Sequence, residues 1–178
     1  LLLVTDTFEA LRALGGAGRD RTIARVAGIT GSVGKTGVKE ALSLVLGRQA
    51  PTHASVGSFN NHWGVPLSLA RMPASAAFAV FEMGMNHPGE ITPLTTLVRP
   101  HVVAITTVEP VHIAHFASVE EVADAKAEVF AGLEPHGTAV LNRDNIHCER
   151  LAWRAAEAGV GRIVTFGRSA GADARLIE

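Results

Sequence analysis

The stretch Gly28-Ile29-Thr30-Gly31-Ser32-Val33-Gly34-Lys35-Thr36 constrains this chain more than any other, because it joins the apolar run from Arg25 to Ile29 to a helical pattern that begins near Gly34. A Gly-Lys-Thr set at a strand-to-helix turn lets successive backbone N–H groups converge on an anion. Small residues keep side chains out of the way, and the helix N-terminus adds positive partial charge. In such a cradle Lys35 reaches the terminal phosphates and Thr36 offers its hydroxyl to magnesium. The pattern G-x-x-x-x-G-K-[ST] is met only in variant form, since Ile29 stands where its first glycine belongs and the nearby glycines are Gly28 and Gly31. A tight turn ahead of a surface lysine is the competing reading.

The segments around this turn alternate between apolar runs and helical periodicity. The periodicity predicts a short amphipathic helix from Asp6 to Leu14, a Gly-rich connector from Gly15 to Asp20, and a buried strand from Ile23 to Thr30. A helix from Lys35 to Leu46 follows, then short strands and helices in turn: Pro51 to Val56, a start at Pro66, Ala77 to Met83, Pro88 to Val98 and His101 to Thr107. Ser118-Val119-Glu120-Glu121 is a capping box opening a helix whose apolar stripe is Val122, Ala125, Val129 and Leu133, with Lys126 off that stripe. Gly137 to Asn142, Ile146 to Ala158 and Arg162 to Phe166 complete the series as strand, helix and strand. Alternation of this kind implies an α/β fold with a parallel sheet covered on both faces, whose ligands sit at the carboxyl ends of the strands. Gly31, Glu82, His112 and Asn142 all fall at such ends.

A chain of 178 residues with 47% hydrophobic composition can bury a sizeable core, and its formal net charge of -1 supplies no field to recruit nucleic acid or an anionic membrane. Phosphate binding must therefore be local. The single Cys148 excludes an internal disulfide and suits a reducing compartment. No run approaches the ~20 apolar residues of a membrane span. The opening Leu1-Leu2-Leu3-Val4 lacks a basic leader, and the abrupt start and end suggest a piece of a longer chain.

Two residues stand out beside the phosphate loop. Glu82 closes an apolar strand, an expensive place for an unpaired carboxylate and a suitable one for a magnesium ligand, with a strand-end acid or helix cap as the plainer alternative. His112 follows a strand and precedes a capped helix, so it is a candidate metal ligand or phosphate partner, although a lone histidine is more often neither. Asn60, Asn61, Asn142 and Asp144 are equally at home as turn formers.

Together, Ile29 to Thr36, Ser58-Phe59-Asn60-Asn61-His62-Trp63-Gly64-Val65-Pro66, Phe81-Glu82-Met83-Gly84-Met85-Asn86-His87-Pro88-Gly89-Glu90-Ile91 and Ala125-Lys126-Ala127-Glu128-Val129-Phe130 closely resemble the Mur ligases. The second and third of these segments resemble the MurF type, which joins D-alanyl-D-alanine to UDP-N-acetylmuramoyl-tripeptide. The resemblance implies a three-layer P-loop-containing domain with a mainly parallel sheet. Residues 1–20 would be the end of an N-terminal substrate domain and a linker, residues 21–178 an incomplete central ATP-binding domain, and the C-terminal domain would be absent.

The chemistry implied is ATP-dependent phosphorylation of a carboxylate and attack on the acyl phosphate by an amine, in the cytoplasm, for peptidoglycan precursor synthesis. Gly31, Ser32, Val33, Gly34, Lys35 and Thr36 would hold the phosphates of ATP, with Asn60, Asn61 and Asn142 near the nucleotide and substrate. Thr36, Glu82, His112 and Lys126 would serve Mg2+, and Lys35, Lys126 and His112 the catalysis. The lysine matching Lys126 carries a carbamate in several family members, which turns a cation into an anion beside a metal. Expected partners are the UDP-linked tripeptide and D-alanyl-D-alanine, without nucleic acid or membrane, on a monomer. A sister ligase adding a diamino acid and a non-catalytic nucleotide-binding module are the alternatives. Ala114, Ala117 and Gly37 depart from the usual MurF residues.

Overall fold

A computed structural model describes residues 3–111 and 115–177. A single seven-stranded sheet organises them. Helix α1 (Thr7–Asp20) leads into strand β1 (Arg25–Thr30), helix α2 (Lys35–Gly47), β2 (Thr52–Ala54), α3 (Gly64–Arg71) and β3 (Phe78–Glu82). Then come α4 (Ile91–Val98), β4 (Val102–Ile105), α5 (Val119–Ala127), a 3-10 turn (Glu128–Gly132), β5 (Thr138–Asn142), α6 (Cys148–Glu157), β6 (Arg162–Gly167) and β7 (Ala174–Arg175). The order across the sheet is β2-β3-β1-β4-β5-β6-β7, and every pairing is parallel.

The chain passes from β1 to the edge strand β2, returns to place β3 between them, then reverses to build β4 to β7 on the other side of β1. That reversal leaves a crevice at the carboxyl ends of β1, β3 and β4, where open α/β sheets take their ligands. Ile29 lies in register with Glu82 across one pair and with Ala104 across the other, so the phosphate loop and Glu82 emerge side by side.

One face of the sheet carries the main core. Val103, Ile105, Ala139 and Leu141 point into it and meet Leu94, Val98, Val122, Val129 and Leu151. On the other face the layer is thinner. Val38, Leu42 and Leu46 of α2 flank an apolar cleft of about 490 Å³, walled by Val102, Ala104, Val140 and Phe166. Val45, on the same helix, is 57% exposed.

Helix α1 differs from the expectation that it ends at Leu14. It runs through Gly15, Gly16 and Gly18 to Asp20, and Gly15 and Gly18 serve close packing rather than a flexible connection. A Cβ at Gly18 would lie 2.2 Å from the Leu69 carbonyl oxygen, and one at Gly15 would lie 3.0 Å from the Pro66 backbone. The helix end is then anchored by buried Arg19, whose guanidinium donates to the carbonyls of Val98 at 2.8 Å and Arg99 at 3.0 Å. The first strand begins at Arg25 rather than Ile23, which is 97% exposed. The helix expected from Pro88 starts only at Ile91, and the Ser118 helix gives way to the 3-10 turn after Ala127.

Candidate active site

The turn after β1 has the shape of a phosphate cradle. Gly31 and Gly34 take positive φ angles of 143° and 84°, conformations that L side chains rarely adopt. A Cβ on Gly31 would fall 1.9 Å from Thr106 Oγ1, so this position also requires glycine for space. Thr106 in turn donates its hydroxyl to the Val33 carbonyl at 2.6 Å, and Ser32 bonds Thr107 and Glu109. Lys35 opens α2 and folds back, donating to the carbonyls of Gly31 at 2.7 Å and Ser32 at 3.3 Å. Burial lowers its pKa, while the Glu82 carboxylate pulls in the opposite direction. An ammonium parked on its own loop's carbonyls can exchange those partners for an arriving phosphate.

Glu82 is 1% exposed at the end of β3. Its Oε2 accepts from the Thr36 hydroxyl at 2.9 Å and its Oε1 from the Asn60 carboxamide at 2.7 Å. Both donors are neutral, and among the described residues no basic side chain forms an ion pair with it. A buried carboxylate in that condition, one hydrogen bond from the hydroxyl that follows the P-loop lysine, fits a hard divalent cation in its donor chemistry. Among the described residues no group of three or more His, Cys, Asp or Glu forms a metal cage, so Thr36 and Glu82 would leave most positions of an ion to water and phosphate. His112, expected as a further ligand, lies outside the described residues.

Lys126 reaches the same place from the opposite wall. Its residue is only 3% exposed, although the helical periodicity left it off the apolar stripe. Desolvation, and after it the neighbouring Lys35 ammonium, lowers its pKa to about 7. The α5 element that presents it is held at three points. Ser118 accepts from Glu121 N–H at 3.3 Å and Glu121 accepts from Ala117 N–H at 2.6 Å, so the capping box returns to Ala117 rather than to Ser118 itself. Asp124 receives Arg150 at 2.7 and 2.9 Å and Arg154 at 3.1 Å, fixing α5 to α6. Glu128 then accepts from the N–H groups of Gly89, Ile91 and Thr92, capping α4 from outside the helix.

A cleft of about 240 Å³ gathers Gly31, Ser32, Lys35, Asn60, Asn61 and Lys126, with Gly84, Asn86 and Glu90 on its far side. Thr36 and Glu82 stand at its edge, joined to it through Asn60. Asn61 faces the cleft but also forms the turn into α3, accepting from the N–H groups of Trp63 at 3.1 Å and Gly64 at 2.9 Å. Asn142 does not line this cleft. Its carboxamide donates to the Thr106 carbonyl at 3.2 Å and accepts from Asp144 N–H at 3.0 Å. Val33 is 54% exposed and contributes through its backbone.

One buried charge beside the site escaped the sequence reading. Lys39, one helical turn beyond Lys35, is completely buried and donates to the carbonyls of Ser55 and Gly57. Its only sequence signal is its spacing of three and four residues from Thr36 and Lys35, which places it on the same side of α2.

The Mur ligase middle domain family matches residues 29–177. The UDP-N-acetylmuramoyl-tripeptide–D-alanyl-D-alanine ligase of Rickettsia prowazekii is 37% identical over 177 residues, 99% of this chain and 39% of that protein. The enzyme of the same name from Escherichia coli is 40% identical over 144 residues, 81% of this chain and 32% of that protein. A crystal structure of MurF from Acinetobacter baumannii superposes with a TM-score of 0.87 at 34% identity, covering 94% of this chain and 37% of that one. The MurF ligase from Thermotoga maritima, in complex with ADP, gives 0.84 at 26% identity over 99% of this chain and 40% of that one. This chain therefore spans about two-fifths of the length of such relatives or less.

Proposed function

Because the chain belongs to the Mur ligase family through its middle domain, we propose that it forms the phosphoryl-transfer core of a ligase that adds D-alanyl-D-alanine to UDP-N-acetylmuramoyl-tripeptide. The observation that carries this reading is the Thr36–Glu82–Asn60 hydrogen-bonded chain beside the phosphate loop, with Lys35 and Lys126 facing the same cleft. A second lysine, the buried Lys126, lining the same cleft as Lys35 has no evident use in a module that only holds a nucleotide. It has one where two anions must be brought together.

In the proposed reaction the terminal carboxylate of the tripeptide attacks the γ-phosphorus of ATP, and the bond to ADP breaks as the acyl phosphate forms. The dipeptide amine then displaces phosphate and gives up one proton, leaving an amide. Lys35 and the loop N–H groups would hold the transferring phosphoryl group. Magnesium, bound when present through Thr36 and Glu82, would screen the repulsion between phosphate and carboxylate. Lys126, with its pKa lowered to about 7, is in large part a neutral amine at neutral pH. That is the form that condenses with carbon dioxide to a carbamate and a proton, and the resulting anion would suit a second cation better than an ammonium does.

Residues 21–178 are read as the central ATP-binding domain, with α1 lying along its flank as the segment that leads in from a substrate domain. The reaction draws on ATP and places the protein in the cytoplasm. No helix among the described residues is long and apolar enough to cross a membrane.

The deciding measurement is phosphate release by the full-length protein with ATP, Mg2+ and UDP-N-acetylmuramoyl-tripeptide, offering D-alanyl-D-alanine or a free diamino acid as the amine. Release that depends on the dipeptide and is lost in Lys35→Ala is expected. Dependence on the diamino acid, or on neither amine, would overturn the assignment.

A further inference from the structure

We propose that Lys39 is a positioning residue for this site, whose buried ammonium fastens the loop after β2 to α2 and thereby holds the Asn60 carboxamide on Glu82. The proposal rests on reading Glu82 and Thr36 as the cation-binding pair. Lys39 is 0% exposed, and its Nζ donates to the Ser55 carbonyl at 2.8 Å and the Gly57 carbonyl at 2.6 Å, with Glu40 Oε1 at 3.0 Å. A lysine is rarely buried so fully unless its charge is matched, because desolvating an ammonium is costly. Here Glu40 supplies the counter-charge and two backbone carbonyls of one loop accept from the ammonium, so the side chain also fixes that loop's path.

The path matters because of what lies three residues on. Asn60 follows Gly57 through a compact turn in which Phe59 N–H donates to Val56 O at 3.3 Å and Asn60 N–H to Ser58 O at 2.8 Å. Asn60 then gives its side chain to Glu82 Oε1 at 2.7 Å and its carbonyl to Gly84 N–H at 2.8 Å. Glu82 accepts Thr36 on its other oxygen at 2.9 Å, and Thr36 sits three residues before Lys39 on α2. The contacts close a ring: α2, Lys39, residues 55–57, Asn60, Glu82, Thr36 and back to α2. Two members of one helix thus hold the carboxylate from opposite ends, Thr36 directly and Lys39 through the loop. Gly57 adopts a φ of 53°, and a Cβ there would meet no atom within 4 Å, while the start of the loop is also tied to β3 by Ser55 N–H donating to Val80 O at 3.2 Å.

The test replaces the ammonium without changing the volume much. In Lys39→Met, amide exchange at Gly84 and the exchange of the Asn60 side-chain NH2 should accelerate at least tenfold. Exchange at Met83, whose N–H bonds Ile29 in the sheet core, should change less than twofold. Lys39→Arg, which keeps the charge and its donors, should restore protection. Binding of ATP in the presence of Mg2+ should weaken about tenfold, while binding in EDTA stays within twofold, a split that a merely structural lysine would not produce. Should Lys39→Met fail to fold, Lys39→Gln, which keeps an uncharged NH2 group on a shorter side chain, carries the same readouts. Unchanged exchange at Gly84 and Asn60, or Met83 rising in step with them, would overturn the proposal. So would equal losses of ATP binding with and without Mg2+. Failure of the wild-type chain to bind ATP would count against the ligase reading instead, and the exchange comparison would still decide whether Lys39 holds Asn60.

Discussion

Asn60 donates its carboxamide to Glu82 at 2.7 Å across a sequence separation of 22 residues, and through that bond a loop side chain sets the orientation of a buried carboxylate. Removing the donor leaves an acceptor oxygen unsatisfied in a nearly dry site, which costs about 1–3 kcal/mol. Asn60→Ala should therefore lower the unfolding free energy by roughly that amount, read by urea titration. It should also weaken Mg2+-dependent ATP binding about tenfold, equivalent to about 1.4 kcal/mol, in calorimetry.

Glu82→Gln keeps the shape and removes the charge. The Thr36 hydroxyl still finds an oxygen, but the new amide NH2 must face the Asn60 NH2 or displace it. Binding of ATP should become nearly insensitive to Mg2+, while the fold survives with a loss of about 1–2 kcal/mol. Retention of the wild-type Mg2+ dependence in a calorimetric titration would remove Glu82 from the site.

Lys126 makes stability depend on pH. Its folded pKa of about 7 lies below the ordinary lysine value of 10.5, so between those pH values the unfolded chain binds more protons than the native one. The cost of holding a buried ammonium is fully present below pH ~7 and is relieved as the pH rises towards ~10. Lys126→Met should thus be more stable than wild type by roughly 2–4 kcal/mol at pH ~6, with the gap narrowing as pH rises, at about 1.4 kcal/mol per unit. Denaturant titrations in carbon dioxide-free buffer check this. A difference that does not vary with pH would show that Lys126 has an ordinary pKa.

At Gly31 a Cβ would meet Thr106 Oγ1 at 1.9 Å and the Thr106 backbone nitrogen at 3.0 Å, on a φ of 143°. Gly31→Ala should cost about 2–4 kcal/mol from backbone strain and overpacking together. It should also abolish ATP binding by reshaping the cradle. Adding Thr106→Ala removes the hydroxyl clash but neither the backbone contact nor the strained φ, so thermal melts should recover less than half of the loss.

Two glycines of α1 separate packing from propensity. Gly18→Ala drives a methyl to 2.2 Å from the Leu69 carbonyl oxygen and should destabilise by at least about 2 kcal/mol. Gly16→Ala meets only Leu97 Cδ1 at 3.7 Å, an ordinary contact, and should stabilise by about 0.5–1 kcal/mol through helix propensity. Opposite shifts in melting temperature are the expected result.

The sequence by itself determined the class of fold and the phosphate loop. Both are local: buried parallel strands read as continuous apolar runs, amphipathic helices carry their own period, and a Gly-rich turn before Lys35 and Thr36 encodes its own backbone. The three-dimensional arrangement decided the rest. The periodicity stopped α1 at Leu14, because the glycines that follow look like a connector until Leu69 and Pro66 are seen pressed against them. The same reading placed Lys126 off the apolar stripe and passed over Lys39, yet the first is 3% exposed and the second wholly buried. Whether a lysine is solvated depends on what the other elements put around it, and for Lys39 that is a loop 16 to 18 residues away. Glu82 was visible as an anomaly at a strand end. Its partners Thr36 and Asn60, 46 and 22 residues distant, became partners only when β3 paired with β1 and brought their loops to one edge of the sheet.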